Sequence, residues 1–108
     1  MKLNTLKKRL KGFAKIENME SPSYNGGTVA NQFIIKFDNG CVFQSYDSII
    51  AVEIEEKVRG EQGYKKKVYL TKDWDYSKTT GKYRNQFLGE NIAETREKIK
   101  NKEYQILS

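Results

Sequence analysis

Histidine is absent from the 108 residues. That removes the usual general base, the usual activator of a serine or cysteine nucleophile and the commonest nitrogen ligand of zinc. Cys41 is the single cysteine, so no disulfide can form within the chain. The start, MKLNTLKKRLKGFAK, holds no apolar run of the kind a secretory signal needs, and a reducing cytoplasm is the expected location. No stretch approaches the roughly 20 apolar residues that cross a bilayer. Apolar residues make up only 37% of the chain and charged ones 31%, but seven Tyr, five Phe and one Trp supply the large burial units that a disordered chain lacks. One domain over residues 1–108, with one core, is expected at this length.

With histidine gone, any enzyme would have to work through carboxylates. Asp73 and Asp75 flank Trp74, and Glu53, Glu55 and Glu56 cluster in one segment. The first pair reads as solvated loop acids and the second group as the polar side of a strand. No catalytic activity, metal or cofactor is expected.

Charge is unevenly spread. Residues 1–15 carry six basic residues and no acid; residues 16–56 carry seven acids against Lys36; residues 57–84 carry nine basic residues against three acids. Two basic stretches bracket an acidic one, an arrangement that forms an electrostatic binding face where the stretches meet and is inert where they diverge.

The expected fold class is α+β, a four-stranded antiparallel meander with an N-terminal basic helix and two C-terminal helices. Leu3, Leu6, Leu10 and Phe13 recur at helical spacing, which predicts an amphipathic basic helix over residues 1–15, limited by Gly12. Some of residues 13–18 suits an edge strand. The dense turn residues of 21–27 predict a loop. Residues 30–71 read as the sheet. Asn39-Gly40 is a favoured two-residue turn, so Asp38 is set opposite Cys41, Phe37 opposite Val42 and Phe33 opposite Tyr46, with that aromatic face in the core. Ile50, Val52 and Ile54 alternate with Ala51, Glu53 and Glu55 as a strand buried on one side. A loop from Arg59 to Tyr64 leads to a return strand, residues 67–71, in which Val68 and Leu70 share the buried face and Tyr69 points outward with Lys67 and Thr71.

Residues 77–101 read as helical. Tyr76, Thr80, Tyr83 and Phe87 align on one helical face between Ser77 as cap and Gly89 as stop. Asn91 with Glu94 forms a capping-box pattern for a second helix packed through Ile92 and Ile99, and Tyr104 to Leu107 suits a short strand.

The segments Phe43-Gln44-Ser45-Tyr46, Val68-Tyr69-Leu70 and, above all, the W-D-Y-S-x-T-T-x-K-Y run from Trp74 to Tyr83 resemble small uncharacterised proteins of bacteriophages and mobile elements. The resemblance spans about residues 31–88. It implies a phage or plasmid setting in a bacterial cytoplasm, and it carries no activity.

Between Tyr64 and Arg84, rings interleave with cations, the pairing by which single-strand grooves hold bases and phosphates. The candidate binding residues are Lys7, Lys8, Lys11, Lys65, Lys66, Lys67, Tyr69, Lys72, Trp74, Lys78, Lys82 and Arg84. Tyr69 is the exposed stacking candidate. Trp74 is either a core plug or an anchor, and the area of a lone Trp favours burial. Ser77, Thr79 and Thr80 suit either a phosphate or plain capping of the helix. The partner is expected to be DNA or RNA; the alternative is a bacterial host protein, such as a defence nuclease, which the chain would inhibit or redirect. No membrane partner is expected.

Overall fold

A computed structural model describes all residues except 23–25, 58–59 and 61. The central element is a six-stranded mixed sheet in chain order: β1 (Lys15–Glu20), β2 (Thr28–Phe37), β3 (Gly40–Ser45), β4 (Ser48–Lys57), β5 (Tyr64–Leu70) and β6 (Tyr104–Ile106). The first five pair antiparallel, and β6 joins β5 in parallel. The meander therefore gains a strand at each edge, from the two short segments flanking it. Parts of the loops at 21–27 and 59–64 lie outside the described residues.

Both faces of this sheet are buried. One packs under α2 (Lys78–Leu88) and α3 (Ile92–Lys100), with Phe43, Ile50, Ala51, Leu70 and Tyr83 at its centre. The other is covered by the N-terminal segment: Leu6 is fully buried against Val42, Val52, Ile54 and Tyr69, with Leu3 and Leu10 beside it.

That second cover is not the helix expected over residues 1–15. Only Leu3–Lys7 is helical (α1), and Phe13 is 60% exposed. So short a helix gains little from its own hydrogen bonds, and the chain beyond it finds better partners on the β2–β3 turn. The Asn39 side chain accepts from the Lys11 N–H and donates to the Arg9 carbonyl, and the Asp38 N–H donates to the Lys11 carbonyl. Gly12 follows at φ +67, where a side chain would also run into Asp38.

The same turn shifts the hairpin. Phe37 faces Gly40, Ile35 faces Val42 and Phe33 faces Gln44, so the turn residues are Asp38 and Asn39. None of Asp38, Asn39 and Gly40 adopts positive φ, so Gly40 is not there for a left-handed turn. A Cβ on it would collide with the Glu53 carbonyl oxygen of the neighbouring strand. Close approach of β4 is what requires glycine here. Tyr46, expected in the core, instead sits at φ +55 in the next turn and is 52% exposed.

A bulge corrects the reading of β4. Phe43 pairs with Ala51 and Gln44 with Ile49, leaving Ile50 unpaired between them. Ile50 thereby turns to the helix face beside Ala51, while Val52 and Ile54 stay on the other.

The helical part follows its local signals. Ser77 Oγ accepts from the Thr80 N–H, Gly89 ends α2 at φ +68, and Asn91 and Glu94 form a complete capping box on α3. Tyr76 is the exception: it precedes the helix and is 67% exposed.

Candidate functional site

Where the N-terminal segment crosses the β2–β3 turn it leaves an open cleft of about 710 Å³, lined on one side by Lys8, Arg9 and Lys11 and on the other by Tyr64, the first residue of β5. Asp38, Asn39 and Glu55 complete its lining. Lys8 and Lys11 are exposed, and Tyr64 is 71% exposed. Three local events build it. Leu6 anchors α1 in the core, Asn39 holds the backbone of Arg9 and Lys11, and β5 begins just past Gly63.

Behind the cleft, Glu56 ties the layers together. It accepts from Arg9 (2.9 Å) and from the Tyr69 hydroxyl (2.9 Å), with Lys67 at 3.7 Å. Tyr69 is therefore not the exposed ring expected from strand alternation. It is 2% exposed because the outward face of β5 is covered by Leu6 and its neighbours. Burial, with the hydrogen bond to Glu56, pushes its hydroxyl up to about 12. Lys65 and Lys67 lie on this same face of β5, whereas Lys66 turns to the other and pairs with Glu53 at 3.2 Å.

The remaining candidates lie elsewhere. Lys7 ends α1, exposed but outside the cleft lining. Lys72 lines a separate hollow with Leu3, Ile49 and Leu107. Lys78 and Lys82 border a third, at the start of α2. Arg84 is lost as a binding cation: it is 1% exposed and donates to the Trp74 carbonyl (2.7 Å), Asp75 (3.3 Å) and Asn85 (3.0 Å). Its guanidinium also lies over the Trp74 ring, 5.4 Å from the centroid, and Trp74 is half-buried against the helix-side core. So the cleft draws its cations from residues 8–11 alone: the second basic stretch supplies Tyr64 to the lining, and its Lys67 nears Arg9 only across Glu56.

Arg9, Asn39 and Tyr64 line the cleft and are not among the candidate binding residues of the sequence. Tyr64 had a signal, a ring at the head of a lysine triplet. Asn39 had none beyond its turn, since what it does depends on a segment 28 residues away.

Of the five candidate carboxylates, three are paired with cations: Asp75 with Arg84 and Arg96, Glu53 with Lys66 and Glu56 with Arg9. Desolvation and nearby Glu53 push the Cys41 thiol above its ordinary value, away from nucleophilic reactivity. Among the described residues no group of three His, Cys, Asp or Glu is placed to hold a metal ion, and no helix is long and apolar enough to cross a membrane.

No curated protein and no solved structure matches the chain. A family model does, over residues 14–105, and the chain belongs to that family of unknown function, DUF8033.

Proposed function

We propose that this chain is a non-enzymatic binding domain that takes a nucleic-acid strand in the Lys8–Tyr64 cleft. The observation that carries the reading is the convergence on one open cleft of Lys8 and Lys11, which form no ion pair among the described residues, and an exposed ring. Lys8 and Lys11 would contact phosphates, Lys7 and Lys65 would add charge at the margins, and Tyr64 would stack a base. The likeness to small phage and mobile-element proteins supports a role as an accessory protein in a bacterial cytoplasm. Lys8 and Lys11 precede the family match, which starts at residue 14, so the reading rests on this chain's own residues and not on the family.

Fluorescence anisotropy with labelled single-stranded DNA and RNA at two salt concentrations tests this. Contact with about four phosphates gives a log–log salt slope of about −3 to −4. Tyr64→Ala should weaken binding by about 1–3 kcal/mol, and Lys8→Glu with Lys11→Glu should abolish it. No binding at low salt, or variants that bind as the parent does, would overturn the reading.

A protein partner, such as a bacterial host factor, is the second reading, favoured by Asp38 and Glu55 in the same cleft. Acids that repel phosphate can pair with basic residues of a protein. Retention of a stoichiometric protein from nuclease-treated lysate, lost in Tyr64→Ala, would select it.

A further inference from the structure

The two edges of the sheet differ in a way that points to a partner. β6 is three residues long, and short edges resist further pairing. β1 has six residues, and no described strand lies outside it. It carries one exposed apolar side chain, Ile16 at 57%, and just before it stands another, Phe13 at 60%, edge-on to Phe37 with ring centroids 5.9 Å apart.

Two identical strands that pair antiparallel about a twofold axis perpendicular to the sheet obey a strict rule. The axis keeps each face on its own side, so it must pass through a residue that pairs with its own copy. For β1 the choices are few. Centring on Lys15 opposes two lysines, and centring on Glu17 opposes two glutamates. Centring on Asn18 sets Ile16 against Glu20 and Glu17 against Met19. Centring on Ile16 sets the two isoleucines against each other and places each Lys15 across from Glu17 of the second copy. Like charges directly opposite destabilise a strand pair, and opposite charges or apolar groups stabilise it. Of these four, only the Ile16 register sets apolar against apolar and opposite charges against each other.

We infer that two copies of this chain associate through β1, antiparallel and centred on Ile16, into one continuous sheet. Ile16 lies across from Ile35 and Lys15 across from Lys36 in the β1–β2 ladder, so the isoleucines meet on the face covered by α1 and the charged pairs form on the helix face. Lys15 and Glu17 already lie 2.6 Å apart within one chain and are 57% and 40% exposed, so the exchange needs only side-chain rotation. Both N-terminal segments end on the same side of the joined sheet.

Light scattering and sedimentation equilibrium of the full chain, at about 100 μM because a single strand pair is a small interface, should give twice the monomer mass of 12.6 kDa. Ile16→Lys should return a folded monomer, with the parent's circular dichroism spectrum, since the site is on the surface. Lys15→Glu and Glu17→Lys should each be monomeric alone, because each sets like charges across the axis. Mixed in equal amounts they should form the heterodimer. A monomeric parent, a dimer indifferent to Ile16→Lys, or charge variants that fail to pair on mixing would overturn the inference.

Discussion

Glu90 offers the sharpest single test of the packing. It sits between α2 and α3 with its side chain only 3% exposed. Lys98 Nζ (2.8 Å) and the Tyr104 hydroxyl (2.7 Å) donate to one of its oxygens, and the Thr95 hydroxyl (2.6 Å) donates to the other. One carboxylate thus fastens α3 and β6 to the end of α2. Burial by itself would push Glu90 up, but the hydrogen bonds from Lys98, Thr95 and Tyr104 outweigh it and hold the carboxyl below the usual carboxylate range. In Glu90→Gln the shape survives. The charge is lost, and an amide N–H₂ is turned towards a donor. Hydrogen bonds to a charged group contribute about 1.5–3 kcal/mol each, and a glutamine keeps one acceptor, so the net loss should be roughly 3 kcal/mol. At the size of this domain that lowers the melting temperature by roughly 12–15 °C. The effect has a sign in pH. A folded value below the unfolded one, which is about 4.3, means the stabilisation is present above the unfolded value and is lost as pH falls through the folded one. Melts followed by circular dichroism should therefore show the full parent–variant gap at pH 7 and a closing gap below about pH 4. A gap under about 4 °C at pH 7, or one that persists undiminished in acid, would refute the reasoning.

Gly40→Ala should destabilise by about 2 kcal/mol or more, because the new methyl group meets backbone that cannot rotate away; a melt equal to the parent's would show that β4 does not approach Gly40 as described. In an alkaline titration followed at 295 nm, Tyr69 and Tyr104 should ionise at about 12. Since burial raises both, the stability they contribute is present below the unfolded value and is lost as pH rises through the folded one. Trp74 should show partial iodide quenching, intermediate between free indole and a buried ring, and Asp75→Ala should increase it by loosening Arg84 over the ring.

The legible parts of the fold are those whose causes lie within a few residues. Ser77 and Gly89 bound α2 as read, and Asn91 with Glu94 caps α3 as read, because a cap is satisfied inside one turn. The four meander strands were legible for the same reason, from alternation between turns. Misreadings begin where a distant segment decides. Alternation sends Tyr69 outward correctly, but outward is not solvent when Leu6 covers that face. The hairpin keeps its facing parity while its register moves, since Asn39 answers to Arg9 and Lys11 as well as to its own turn. Ile50 leaves the face of Val52 because of one unpaired residue, which no periodicity announces.

For the site, counting charge along the chain marks basic stretches but does not show which of their cations are already held. Among the cations of 57–84, Arg84 is in the core, Lys66 is held by Glu53 and Lys67 stands beside Glu56. Arg84 is buried where a lysine would not be, because a planar guanidinium can meet a carbonyl, a carboxylate and an amide at once while stacking on Trp74. The distinction between a structural arginine and a binding lysine is therefore one of hydrogen-bond geometry, which net charge does not encode. It also sets where electrostatics can act. The field that a phosphate would feel comes from the cations that form no ion pair among the described residues, Lys8 and Lys11 foremost, offset in part by Asp38 and Glu55 in the same lining, so changes at the two lysines should alter the salt dependence of binding while changes at Arg84 should alter only the fold.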